Sequence, residues 1–97
     1  MFTPLIITGN VTAKLESVEL VKAELLKLIE TTRNEHGCIQ YSLHQDNTDH
    51  TKFLFYEQWQ NRELWQVHMN ADHIQAYLMA TDGHVDAFVV SEMTRIG

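Results

Sequence analysis

The chain has 97 residues, 44% of them hydrophobic and 21% charged, with a formal net charge of −6. That length predicts one domain, 1–97, with a small core. Seven scattered basic residues exclude the clustered Lys and Arg that phosphate backbones require, so no nucleic-acid partner is expected. Cys38 is the only cysteine, which excludes an intrachain disulfide and fits a reducing compartment. No run approaches a membrane span, and the first residues show neither a basic segment nor a long apolar one. The expectation is a cytoplasmic protein with no membrane partner.

Pro4 to Ala13 reads as a strand: Leu5, Ile7 and Val11 alternate with Ile6, Thr8, Asn10 and Thr12, and Gly9 falls on the apolar face. Ser17 to about Glu35 reads as an amphipathic helix. Its stripe is Val18, Val21, Leu25, Leu28 and Thr32, widened by Leu20, Leu26 and Ile29. Ser17 is the expected N-cap and Gly37 the stop. Cys38 to Asp46 reads as a second strand, with Ile39, Tyr41 and Leu43 on one face and Cys38 with Gln40, Ser42 and His44 on the other. A polar turn, Asp46 to His50, leads into a third strand, Lys52 to Gln60, so the two form a hairpin. In the third strand Phe53, Phe55, Glu57 and Trp59 alternate with Leu54, Tyr56 and Gln58.

Asn61 to Met69 and Ala71 to Ala80 read as two short helices, with Asn70 as side-chain cap of the second. Leu64, Val67 and His68 form the inner face of the first; Ile74, Tyr77 and Leu78 form that of the second. Val85 to Ile96 is the last strand. The order β-α-β-β-α-β predicts an α+β, ferredoxin-like fold: a four-stranded antiparallel sheet with helices on one face. The uncovered face, read as mixing Phe, Tyr, Trp and Val with Asn, Glu and His, needs a second sheet or a ligand against it.

The densest group of aromatic and titratable residues is Glu57 to Tyr77. His68 and His73 are five apart, a spacing that does not form a two-histidine metal pair on one continuous helix, although the break at Asn70 leaves room for them to approach; no motif fixes a third ligand. No metal and no organic cofactor are expected. Trp59 and Trp65 are candidates for the wall of an aromatic-ligand pocket or for core. Glu57, on an apolar strand, is a candidate base with a raised pKa or a partner of Arg62. Asn10 is a candidate donor to a substrate oxygen. Tyr41 and Tyr77 read as core residues with anchored hydroxyls, and Cys38 as a small buried side chain.

These segments together resemble the antibiotic biosynthesis monooxygenase superfamily, most closely its small quinol-monooxygenase-like members. The residues carrying the likeness are Glu35-His36-Gly37-Cys38-Ile39-Gln40-Tyr41, Glu57-Gln58-Trp59, Leu64 to His68, and Asp72-His73 to Tyr77. The resemblance implies a homodimer whose sheets pack as a dimeric α+β barrel, with a pocket between sheet and helices in each subunit. It implies an enzyme that oxygenates a small quinol, phenol or anthrone with O2, without metal or flavin. On this sequence His68 or His73 would be the base or anion partner and Asn10 the hydrogen-bond donor. Trp59, Trp65, Tyr77 and Tyr41 would shape the wall, and Glu57 competes for the base role. The haem-degrading branch has tryptophan where His68 stands and an iron-ligating histidine near Leu78; both departures disfavour haem degradation. A branch that isomerises a small phosphorylated signal molecule shares both histidines, so isomerase remains an alternative, as does a ligand-binding dimer without catalysis.

Overall fold

A computed structural model describes residues 2–97. Four strands, β1 (Leu5–Ala13), β2 (Cys38–Gln45), β3 (Lys52–Trp59) and β4 (Val85–Met93), form one antiparallel sheet in the order β2-β3-β1-β4. The helices are α1 (Val18–Arg33), α2 (Arg62–Met69) and α3 (Asp72–Ala80), and a 3-10 turn at Leu15–Ser17 precedes α1. This is the expected ferredoxin-like α+β fold. Among the described residues no helix is long and apolar enough to cross a membrane.

Strand alternation decides what faces the helices. In β3, Phe53, Phe55, Glu57 and Trp59 are buried while Leu54, Tyr56 and Gln58 are half-buried on the other face. Ile7, Gly9 and Val11 of β1 lie opposite Glu57, Phe55 and Phe53, so they share the inner face. The outer face therefore differs from its expected composition. It carries Ile6, Thr8 and Asn10 beside Leu54, Tyr56, Gln58 and Val89, while Trp59 and Glu57 point inward.

The second strand corrects a register. The ladder shifts between Cys38 and Gln40, so Cys38 pairs with Trp59 and Tyr41 with Glu57, and Ile39 is the extra residue. A bulge leaves one residue out of the alternation. Cys38 and Tyr41 thus share the inner side, and Ile39 is 50% exposed rather than aligned with Tyr41.

Helix α1 buries Val21, Leu25, Leu28 and Thr32 and packs on β2 and α3. Its stripe is narrower than expected, since Leu20 and Leu26 sit on its exposed flanks. In α2 the inward residues are Trp65 and His68, and Val67 is exposed, because the turn begins at Asn61, whose side chain accepts from the Leu64 N–H at 2.9 Å. Two caps also differ. Ser17 holds the N-cap position of α1 but its side chain accepts from no helix N–H; its Oγ pairs with His84 Nδ1 at 2.8 Å and ties the start of α1 to the chain before β4. Asn70 does not cap α3 through its side chain. It ends α2, its amide donating to the Gln66 carbonyl at 2.9 Å, and Ala71 occupies the cap position. The last strand stops at Met93, short of Ile96.

Gly37 has a structural task beyond stopping a helix. Its φ is +88°, and a Cβ there would lie 2.8 Å from Leu64 Cβ. Only glycine allows both the left-handed backbone and the close passage of α2 over the start of β2.

Candidate functional site

Between the inner sheet face and the three helices lies a cavity of about 250 Å3. Val11, Tyr41, Phe55, Glu57, His68 and Tyr77 contribute to its wall, and it opens past Leu78 and Phe88, which are 48% and 50% exposed. Gly9 lies on the inner face behind three of the lining side chains: a Cβ there would stand 3.6 Å from Phe55 and Phe88 and 4.0 Å from Glu57 Oε2. A larger groove of about 620 Å3 runs over the α2–α3 junction between Glu63 and Asp72. It is open and lined mainly by polar side chains, so it cannot strip water from a ligand as the inner cavity can.

His68 is 2% exposed and sits in the last turn of α2. Its ring lies 4.8 Å from the Trp59 ring and edge-on to Tyr41 at 5.5 Å. Its Nδ1 is 2.5 Å from Glu35 Oε2. A carboxylate accepts only, so Nδ1 carries the proton and Nε2 the lone pair. Among the described residues the only buried side-chain nitrogen or oxygen without a partner is Trp65 Nε1. His68 Nε2 makes no protein hydrogen bond, so it remains open to the cavity. The same reasoning applies to Glu57: Oε1 accepts from Trp59 Nε1 at 2.8 Å, and Oε2 is left facing the cavity near Gly9.

Burial dominates the electrostatics. The Glu57 carboxyl is pushed up to about 7 by burial, against the lowering effect of the Trp59 hydrogen bond. Burial lowers the His68 pKa, opposed by the hydrogen bond and charge of Glu35. The Tyr41 and Tyr77 hydroxyls are raised by burial, so neither is a ready acid. Cys38 is pushed up to about 11, again mainly by burial, which fits a packing role rather than a thiolate.

The sequence-predicted residues divide by place. Glu57, Tyr41, Tyr77 and His68 meet at the cavity. Trp59 lies fully buried beneath them, fixing Glu57 and supporting the His68 ring. His73 is behind His68, its Nε2 3.2 Å from Glu35 Oε2 and 3.1 Å from Thr32 Oγ1. Trp65 is buried outside the cavity lining, with the Arg62 guanidinium 5.9 Å above its ring. Asn10 is not at the site. It is exposed on the outer sheet face, between Leu54 and Val89, because alternation gives the inward position to Gly9. Arg62 does not pair with Glu57; it binds Glu92, with Nε 2.7 Å from Oε1.

Sequence reasoning missed Glu35. It follows α1, at the negative end of the helix dipole, where a carboxylate is unfavourable without a nearby donor or cation. That misplaced charge was the available signal. The meeting of the two histidines, which the expected break at Asn70 left open, does occur. Helix α2 ends at Met69 and α3 starts at Asp72, so the spacing on a single helix does not apply. The extended Ala71, ψ 154°, swings the first turn of α3 back so that the two rings are 5.9 Å apart.

Residues 4–89 match the family described as antibiotic biosynthesis monooxygenase. The chain belongs to that family. Among solved structures it is similar to PA3566 from Pseudomonas aeruginosa, at 30% identity and a TM-score of 0.94, covering 100% of this chain and 98% of that one. It is also similar to a structure described as an antibiotic biosynthesis monooxygenase, at 26% identity and a TM-score of 0.89, covering 96% and 99% of the two chains. A further relative is the uncharacterised protein sll1783 from Synechocystis, 30% identical over 95 residues. Those residues are 92% of this chain, and the chain spans 65% of that relative's length.

Proposed function

We propose that this chain is a monooxygenase that oxidises a small, electron-rich aromatic, a hydroquinone or anthrone, with O2 and without metal or flavin. The observation that carries the reading is an apolar cavity lined by two buried proton-handling residues, whose His68 Nε2 and Glu57 Oε2 atoms have no protein hydrogen-bond partner and stay accessible from it. His68 Nε2 takes a proton from the ring hydroxyl or the acidic carbon, and Glu35 steadies the imidazolium through Nδ1–H. Glu57 hydrogen-bonds the second substrate oxygen. The deprotonated ring is electron-rich enough to pass an electron to O2, and the apolar wall keeps water from quenching the pair. With a hydroquinone, one oxygen atom enters a ring carbon and the other leaves as water. The substrate supplies all four electrons, two in ring hydroxylation and two in oxidation to the quinone, so no external reductant is needed.

Asn10 cannot reach the cavity of its own subunit, so Glu57 takes the role expected of it. We further propose that the chain works as a homodimer, with the outer sheet faces packed together. This covers Ile6, Leu54, Tyr56, Val89 and Met93 and closes the α+β barrel.

The experiment is oxygen uptake by chelator-treated protein with a panel of reduced quinones and anthrones, beside His68→Ala. Uptake above autoxidation that falls at least about 100-fold in the mutant is expected for loss of a positioned base. No uptake with any member of the panel would overturn the oxygenase reading. A second reading, an isomerase that shuttles a proton on a small carbonyl compound, is favoured by the pairing of His68 and Glu57 across one cavity. No Lys or Arg lines that cavity, which disfavours a phosphorylated substrate. Deuterium exchange into a carbonyl ligand without oxygen uptake would select this reading, and binding without either signal would select a sequestering protein.

A further inference from the structure

We infer that Glu35, His68 and His73 form a binding site for one divalent transition ion of the zinc class, and that its occupancy removes His68 from proton transfer. One nitrogen of each imidazole and one carboxylate oxygen lie within 4.8 Å of one another. The donors come from three segments: the connection after α1, the end of α2 and the first turn of α3. Fold packing, rather than one flexible loop, therefore sets their spacing. The Glu35 and His73 side chains are 16% and 20% exposed and His68 only 2%, so the group is largely withdrawn from water.

The charge is incomplete without a cation. Among the described residues Glu35 has no Lys or Arg partner; its only ion pairs are with the two histidines. Two imidazoles and one carboxylate match the ligand set of zinc sites with three protein ligands, which keep a fourth position for water. Magnesium and calcium prefer an all-oxygen shell. Donors about 2.1 Å from a tetrahedral ion stand roughly 3.4 Å apart. The Glu35 Oε2–His73 Nε2 separation is already 3.2 Å. The Glu35–His68 separation of 2.5 Å is that of a hydrogen bond, and it widens once the proton on Nδ1 leaves.

That proton has one place to go within the ring. A neutral imidazole that ligates through Nδ1 carries its hydrogen on Nε2. Binding therefore turns the cavity-facing nitrogen of His68 from an acceptor into a donor. The binding itself is independent of the oxygenase reading; the loss of the base is its consequence if that reading holds.

The test is Zn2+ titration of the whole chain against a chromophoric chelator, with Co2+ absorption as a second probe. One ion per chain is expected, with affinity reduced at least about 100-fold in His73→Ala and in Glu35→Gln. A variant with His44 and His50 both changed to Ala, exposed positions on the β2–β3 hairpin, should bind as the wild type does. Circular dichroism of metal-free His73→Ala reports whether that variant folds, and Glu35→Gln, nearly the same shape, serves if it does not. Failure to bind stoichiometrically would overturn the site. So would undiminished binding in folded His73→Ala and Glu35→Gln. Nitrogen NMR of the His68 ring should show the hydrogen moving to Nε2 on Zn2+ addition. An unchanged tautomer at full occupancy would overturn the switch. None of these readings depends on turnover, so they stand or fall separately from oxygen uptake.

Discussion

Glu57 is a buried carboxyl whose neutral form the fold prefers. Its pKa rises from 4.5 to about 7, so the folded state holds a proton that the unfolded state has released. Stability is therefore highest below the unfolded pKa, falls as pH rises through the interval to about 7, and levels off above it. The full span corresponds to about 3 kcal/mol as an upper estimate. Glu57→Gln keeps an acceptor for Trp59 and removes the charge. We predict that it flattens this part of the pH–stability curve and stabilises the protein at pH 8 by about 1–3 kcal/mol, measured by urea unfolding across pH. An unchanged slope would mean that Glu57 is solvated. Gly9 makes the complementary case for space. A Cβ at Gly9 meets Phe55 and Phe88 at ordinary contact distance, and the methyl groups of Gly9→Val would reach beyond it towards these cavity-lining side chains. Thermal stability should change by less than about 1 kcal/mol, while the KM for any aromatic substrate rises about tenfold or more.

The elements matter here through their ends. The backbone after α1 delivers Glu35, and the turn between α2 and α3 returns His73 to it. Gly37 lets α2 approach closely enough for His68 to reach Glu35. We predict that Gly37→Ala costs about 2–4 kcal/mol, from the positive φ and the contact with Leu64 together. Thermal unfolding checks this, and a loss below about 0.5 kcal/mol would show that the backbone relaxes without penalty. The helix stripe of α1 was legible because Val21, Leu25 and Leu28 repeat at helical spacing. The bulge at Ile39 was not, since nothing local marks a residue to be skipped; only pairing with β3 shows it.

At the scale of the whole molecule the protein is a slab 18 Å through its thinnest direction, a sheet with one layer of helices. The outer sheet face is left with Val89 at 57% and Met93 at 47% exposure beside half-buried Leu54 and Tyr56. We predict a dimer by light scattering, converted to monomer by Val89→Lys, whose charge would be buried between the two sheets. A wild-type monomer at micromolar concentration would refute the face-to-face arrangement.

The sequence by itself determined the order of elements, the antiparallel α+β fold and the family. Those rest on alternation, helical spacing and short turns, which are local properties that tertiary contacts need not alter. It also placed Glu57, Tyr41, His68 and Tyr77 among the candidates, because titratable groups on apolar faces are visible without a structure. Tertiary structure alone decided which candidates meet. A single strand has two faces, and only pairing and helix packing assigned the inner face to Gly9 and Glu57 and left Asn10 outside. The partnership of Glu35 with His68 joins residues 33 positions apart, and the break between α2 and α3 turns His73 back to the same carboxylate; the group arises where the ends of three helices converge.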